Sequence, residues 1–195
     1  MPHALSIHTL LVHRLMASAG LKAGAEGSAD VVLEPMAPAM MIEALEYDRD
    51  AEIGGFIAPE PFGTLAVESG LGTMVCKSET LWPGYPTSVF VLHDAVITAY
   101  PEAVFELVKC LADHGSRPND LVPVAASFLG QDPGIVERVI GKQKSGQAVG
   151  CCLPDIKTLE IIQDYMKEEL GRVGCETGVA GCLELSFARK AGVVG

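Results

Sequence analysis

The 195-residue chain is short of positive charge, of aromatic rings and of long apolar runs. Lysine and arginine number 14 against 25 aspartates and glutamates, for a net charge of -11. A protein that tracks a phosphate backbone needs a basic face, so this balance argues against nucleic acid as a partner. It leaves small anions open, because helix N-termini and backbone amides hold such ligands locally, whatever the net charge. No apolar run approaches the ~20 residues needed to cross a bilayer. His3, His8, His13 and Arg14 interrupt the apolar patch near the start and no small-residue cleavage site follows. As written, the chain carries no export signal. Cys-x-x-Cys spacing is also missing. The six cysteines (Cys76, Cys110, Cys151, Cys152, Cys175 and Cys182) do not supply the two close pairs of a zinc site. They read as unpaired structural thiols, with one bond, Cys175 to Cys182, left open.

What is present is a well-filled interior: 49% of residues are hydrophobic and the mean hydropathy is +0.30, enough for one or two domains with a real core. The chain is organised around Gly55-Phe56-Ile57-Ala58-Pro59-Glu60-Pro61-Phe62-Gly63. Gly55 to Ala58 reads as a buried strand that stops at a proline, with Glu60 and an aromatic at its lip and a helix from Thr64 to Ser69. In open α/β sheets that carboxyl edge is where ligands sit. Glu60 is therefore either a ligand or hinge contact, or a cap on the following helix.

Before this stretch, Ala4 to Ala19 predicts a leucine-striped helix with Ser6 as N-cap and Gly20 as C-cap glycine. His3, His8 and His13 advance about 140° per step and share no face, so a metal site is not expected there. Ser6 and His8 fall in the first turn, whose free N–H groups attract anions; otherwise Ser6 is only a cap and His8 a surface residue. Asp30 to Glu34 is β-rich, and Met36 to Tyr47 is helical with a methionine stripe read as core. Two βα units in succession imply a small, largely parallel sheet. Beyond Gly72, strands are expected at Thr73 to Cys76 and Ser88 to Leu92. Between them lies a stiff aromatic loop whose Trp82 either lines a pocket or anchors a core. From His93 the pattern is helical: Asp94 to Ala99, a helix starting at Pro101, then Asn119 to Leu129, Pro133 to Ile140, Asp155 to Leu170 and Ala180 to Lys190. Gly141 to Gly150 reads as a flexible connection.

The ordered set Pro2 to Gly20, Met36-Ala37-Pro38-Ala39-Met40-Met41, Gly55 to Phe62, Leu81-Trp82-Pro83-Gly84-Tyr85-Pro86, Tyr100 to Val104 and Leu185 to Ala191 resembles the solute-binding proteins of nitrate, sulfonate and taurine ABC transporters, a group that includes thiamine-precursor binders. The resemblance implies an α/β, type II periplasmic-binding-protein-like fold. Residues 5–92 would form a second-lobe-like α/β domain, and residues 93–195 a mainly helical, incomplete first-lobe-like part. It implies capture of a small anionic solute and delivery to a membrane permease, without chemistry, cofactor or metal. The family's cleft positions fall on Ser6 and His8, on Glu60 and Phe62, and on Tyr85 and Ser88. Tyr85 stands where nitrate-type relatives often carry histidine. By resemblance the protein is periplasmic, although no signal peptide is present in this chain.

The family's first-lobe segment ahead of the match to Leu5 has no counterpart here. The later helices are therefore expected to fold back, to pair with a second copy, or to meet a separately encoded lobe. Two other readings stand beside this one. The first is a cytoplasmic enzyme on the same fold, of menaquinone or thiamine-precursor synthesis type, for which Glu60 with His8 or His93 is the only acid/base pairing on offer. Cys151 and Cys152 have no His or Asp neighbour to activate them. The second is an interaction or sensor domain that kept the lobe and lost the cleft.

Overall fold

The leucine stripe near the start folds as helix α1, Ile7–Ser18, because Leu10 and Leu11 on one face go fully inside. A Schellman motif ends it. Gly20 adopts φ 75°, Gly20 N donates to the Ala17 carbonyl, and Leu21 N reaches back to Met16 at 2.9 Å. The chain then forms β1 (Ala23–Gly24) and β2 (Val31–Val32), a parallel pair in the register Ala23 to Val31 and Gly24 to Val32. Asp30 locks the pair, its carboxylate accepting the Lys22 N–H at 2.8 Å. Helix α2 (Pro38–Tyr47) turns Met41 inward and leaves Met40 exposed, so only part of the methionine stripe is core. Helix α3 (Phe62–Glu68) ends as α1 does, at Gly70 with φ 70° and Leu71 N on the Ala66 carbonyl. The four-residue α4 (Ser78–Leu81) follows.

This computed structural model describes residues 1–24, 27, 29–48, 50, 52–115, 118–141, 153–168 and 178–193. It divides into two compact units, Met1–Tyr85 and Pro86–Gly195. In the first, α1 packs on β1 and α4, and α3 packs on α2. In the second, α5 (Asp94–Ala99) and α11 (Ser186–Lys190) both pack on α6 (Pro101–Gly115), where Val104 is buried. A 3-10 turn (Pro118–Leu121) leads into α7 (Val122–Leu129), which packs on α8 (Pro133–Gly141) through buried Ala126 and Val136. Helix α9 (Ile156–Glu168) packs on α10 (Gly178–Gly181).

Three sequence expectations change. The strands at Gly55 to Ala58, Thr73 to Cys76 and Ser88 to Leu92 do not form: among the described residues β1 and β2 are the sheet. The protein is helix-rich, and the α/β character expected of residues 5–92 is reduced to that one parallel pair. β-branched residues give a segment strand propensity, but a strand also needs a neighbour to take its N–H and C=O groups. These segments find none, and Val75 and Val91 stand 87% and 76% exposed. Second, the helix expected over Ala180 to Lys190 is two pieces, because Glu184 turns its carboxylate onto the Ser186 N–H at 2.8 Å and starts α11 anew. Third, α3 begins at Phe62 rather than Thr64. The connection at 142–150 and Cys151, Cys152 and Cys175 lie outside the described residues. Among those described, no helix is long and apolar enough to cross a membrane.

Candidate functional site

The first turn of α1 brings two of the expected residues together. Ser6 takes the extended backbone of an N-cap, yet its side chain makes no capping bond. Its hydroxyl lies 3.5 Å from that of Thr9, whose own Oγ1 donates to the His3 carbonyl at 2.9 Å. The N–H groups of Ile7 and His8 therefore meet no acceptor among the described residues, and the first turn carries no acidic side chain. The result is a pair of unused donors at the positive end of a twelve-residue helix. His8 is half-buried, and its Nδ1 is sealed from solvent without a hydrogen-bond partner. Burial, and then the Met1 ammonium, pushes its pKa below the ordinary imidazole value. At neutral pH the ring is uncharged, with one nitrogen able to donate and the other to accept.

Glu60 is differently employed. One carboxylate oxygen accepts the Thr64 N–H at 3.0 Å and the other accepts the Thr64 hydroxyl at 3.1 Å, both in the opening turn of α3. Those contacts are those of a cap. Phe62, the first residue of α3, is half-buried. Tyr85 shares a 2.6 Å hydrogen bond between its phenol and the Ser78 hydroxyl of α4. Ser88 is exposed and belongs to the second unit. The six expected residues thus form an α1 group (Ser6, His8), an α3 group (Glu60, Phe62), a Tyr85 group and an isolated Ser88.

Sequence reasoning missed three partners. Thr64 was readable, standing one helical turn after Glu60. Arg14, whose guanidinium lies 4.6 Å from the centroid of the Trp82 ring, and Ser78 carry no local signal, because their partners meet them only through folding. Trp82 is half-buried under that arginine. His93, the second acid/base partner considered for Glu60, caps α5 by accepting the Ala95 N–H at 3.1 Å. Among the described residues no three His, Cys, Asp or Glu side chains converge to hold a metal ion. In the second unit a half-open groove of about 420 Å³ runs between α6 and α11, lined by Phe105, Phe187, Glu102, Glu106 and Lys190 among others. None of the six expected residues lines it.

Residues 1–120 match the family model described as the NMT1-like family. Among curated proteins the chain is 32% identical over 119 residues to the nitrate import ATP-binding protein NrtC of Synechococcus elongatus, covering 61% of this chain and 17% of that protein. It is 28% identical over 113 residues to the NrtC of a Synechocystis strain, covering 58% of this chain and 16% of that protein. The chain thus spans about a sixth of the length of the curated relatives it matches. The sequence contains no G-x-x-x-x-G-K-[ST] run, so the likeness to proteins named for ATP binding does not rest on a phosphate-cradling loop. No solved structure matches the chain.

Proposed function

The chain belongs to the NMT1-like family, and from that premise we propose that it is the solute-binding component of an ABC uptake system, capturing a small anion such as a sulfonate, taurine or a nitrate-like oxyanion. The observation that carries this reading is the open start of α1: unused Ile7 and His8 N–H groups beside a buried, unpartnered imidazole nitrogen. An anion placed there accepts from the amides and from the Ser6 hydroxyl, and the first turn holds no acidic side chain to repel it. The printed names of the relatives, nitrate import proteins, support an oxyanion. Phe62 and Tyr85 of the same unit are the further contacts this reading assigns to the solute, and Glu60 serves indirectly by capping the helix that carries Phe62.

On this reading the protein binds and releases and does no chemistry. It works in the periplasm and hands its solute to a membrane permease. Its two parts, residues 5–92 and 93–195, correspond to second-lobe-like and first-lobe-like parts of a type II binding protein.

Native mass spectrometry of the chain with nitrate, taurine and an alkanesulfonate tests this. One of them should give a 1:1 adduct that weakens in Ser6→Ala. It should survive in Glu60→Ala, a variant that costs only the α3 cap, about 1 kcal/mol. A folded chain that takes none of the three overturns the proposal.

A further inference from the structure

Helix α4 is four residues long, far too short to be stable alone, and it runs out at Trp82, the only tryptophan of the chain. The turn that follows is closed on itself. Gly84 takes φ 71°, Tyr85 N donates to the Trp82 carbonyl at 3.3 Å, and the Tyr85 phenol bonds to Ser78 at 2.6 Å. What ties this small ring to the rest of the first unit is α1, on which α4 packs. The Arg14 guanidinium stands over the Trp82 ring at 4.6 Å. Arg14 lies one turn beyond buried Leu10 and Leu11. It is also seven residues after Ile7, which returns it to the same face of the helix about 10 Å further along the axis. One rigid helix therefore carries the open donors at its start and the brace for the aromatic turn near its end.

We propose that Arg14 is a positioning residue for the solute site: by stacking on Trp82 it fixes the Trp82–Tyr85 turn to α1 and so sets where Tyr85 stands relative to the open donors. The inference rests on the reading that the α1 start and Tyr85 meet the solute. Arginine suits the task because its flat guanidinium stacks on an indole face while its donors stay hydrated.

The sole tryptophan reports the contact directly. Arg14→Gln should make Trp82 fluorescence more readily quenched by acrylamide. The same variant should weaken nitrate or taurine binding, measured by calorimetric titration, by about threefold, the scale of one partly exposed cation–π contact. Arg14→Lys, which keeps the cation but not the flat stacking surface, should recover part of both effects. Tyr85→Phe should weaken binding, and unchanged affinity in that variant overturns the positioning role. Unchanged quenching in Arg14→Gln overturns the brace, and this arm needs no solute, so it stands apart from any failure of the binding reading. Changed quenching with unchanged affinity overturns the positioning role. Equal losses in Arg14→Gln and Arg14→Lys also overturn it, because a general loss of packing would not be rescued by a retained charge.

Discussion

Helices α1 and α9 both begin at a residue suited to capping, and they finish in opposite states. Asp155, before α9, folds its carboxylate onto Thr158, accepting the amide at 3.0 Å and the hydroxyl at 2.6 Å. Ser6, before α1, makes no such bond and leaves the first-turn amides unused. Other starts behave as α9 does: Glu60 closes α3, His93 closes α5, Asp132 closes α8 with the Gly134 N–H at 2.8 Å, and Glu184 closes α11. Helices α2, α4 and α7 also lack a side-chain cap, but α2 and α7 each have a proline at the first or second position, which removes a donor from the turn, and the four-residue α4 carries Glu79 in its first turn. The difference separates structure from function. A closed start is finished, whereas α1 keeps unused donors beside a half-buried imidazole, and the proposed anion site rests on that contrast.

Making α1 resemble α9 should have the largest effect. Ser6→Asp places a carboxylate where the solute would sit. Nitrate and taurine binding should fall below detection in calorimetric titration, while the melting temperature holds or rises, since an N-cap aspartate also gains about 0.3–1 kcal/mol from the helix dipole. Retained binding in this variant would erase the contrast between the two starts.

A second, smaller effect concerns His8. Its folded pKa lies below the unfolded one, so between the two values the unfolded chain holds the extra proton. Stability should therefore fall as the pH drops below about 6.5. A bound anion favours the charged ring, so affinity should rise over the same interval, by up to about tenfold per pH unit for one linked proton. Titrations from pH 8 to pH 5.5 check both trends, and His8→Asn should flatten them.

The smallest effect is expected from opening the closed start. The Thr158 hydroxyl, and then its amide, holds the Asp155 carboxyl below the usual carboxylate range. A depressed carboxylate stabilises the fold above its unfolded value, about pH 4, and that support is lost as the pH falls through the folded value. Asp155→Ala should remove this acid limb and speed hydrogen exchange at the Thr158 amide. Solute affinity should not change. Any gain of anion binding would blur the contrast.

The helices were legible and the strands were not, for a physical reason. The Leu10–Leu11 stripe of α1, the Gly20-Leu21 and Gly70-Leu71 stops and Pro101 at the head of α6 are all decided within a turn or two of themselves. Whether Ser88 to Leu92 becomes a strand depends on a neighbour that its own residues do not specify. The site divides in the same way. The sequence placed Ser6 and His8 in the first turn and offered capping as one role for Glu60, because each depends on residues within one helical turn. It could not show that the Ser6 hydroxyl declines to cap, nor that Tyr85 bonds Ser78 and Trp82 lies beneath Arg14. Those pairings arise from packing of α4 on α1.

The two Schellman ends have a consequence for handedness. At Gly20 and Gly70 an added methyl would meet no atom within 4 Å, so space is not what reserves either position for glycine. The reservation is stereochemical: with φ at 75° and 70°, an L side chain is strained where its mirror image is not. A D-alanine introduced by chemical ligation at either end should fit the folded chain unchanged and narrow only the conformations of the unfolded one. That would stabilise a helix end without creating a single new contact.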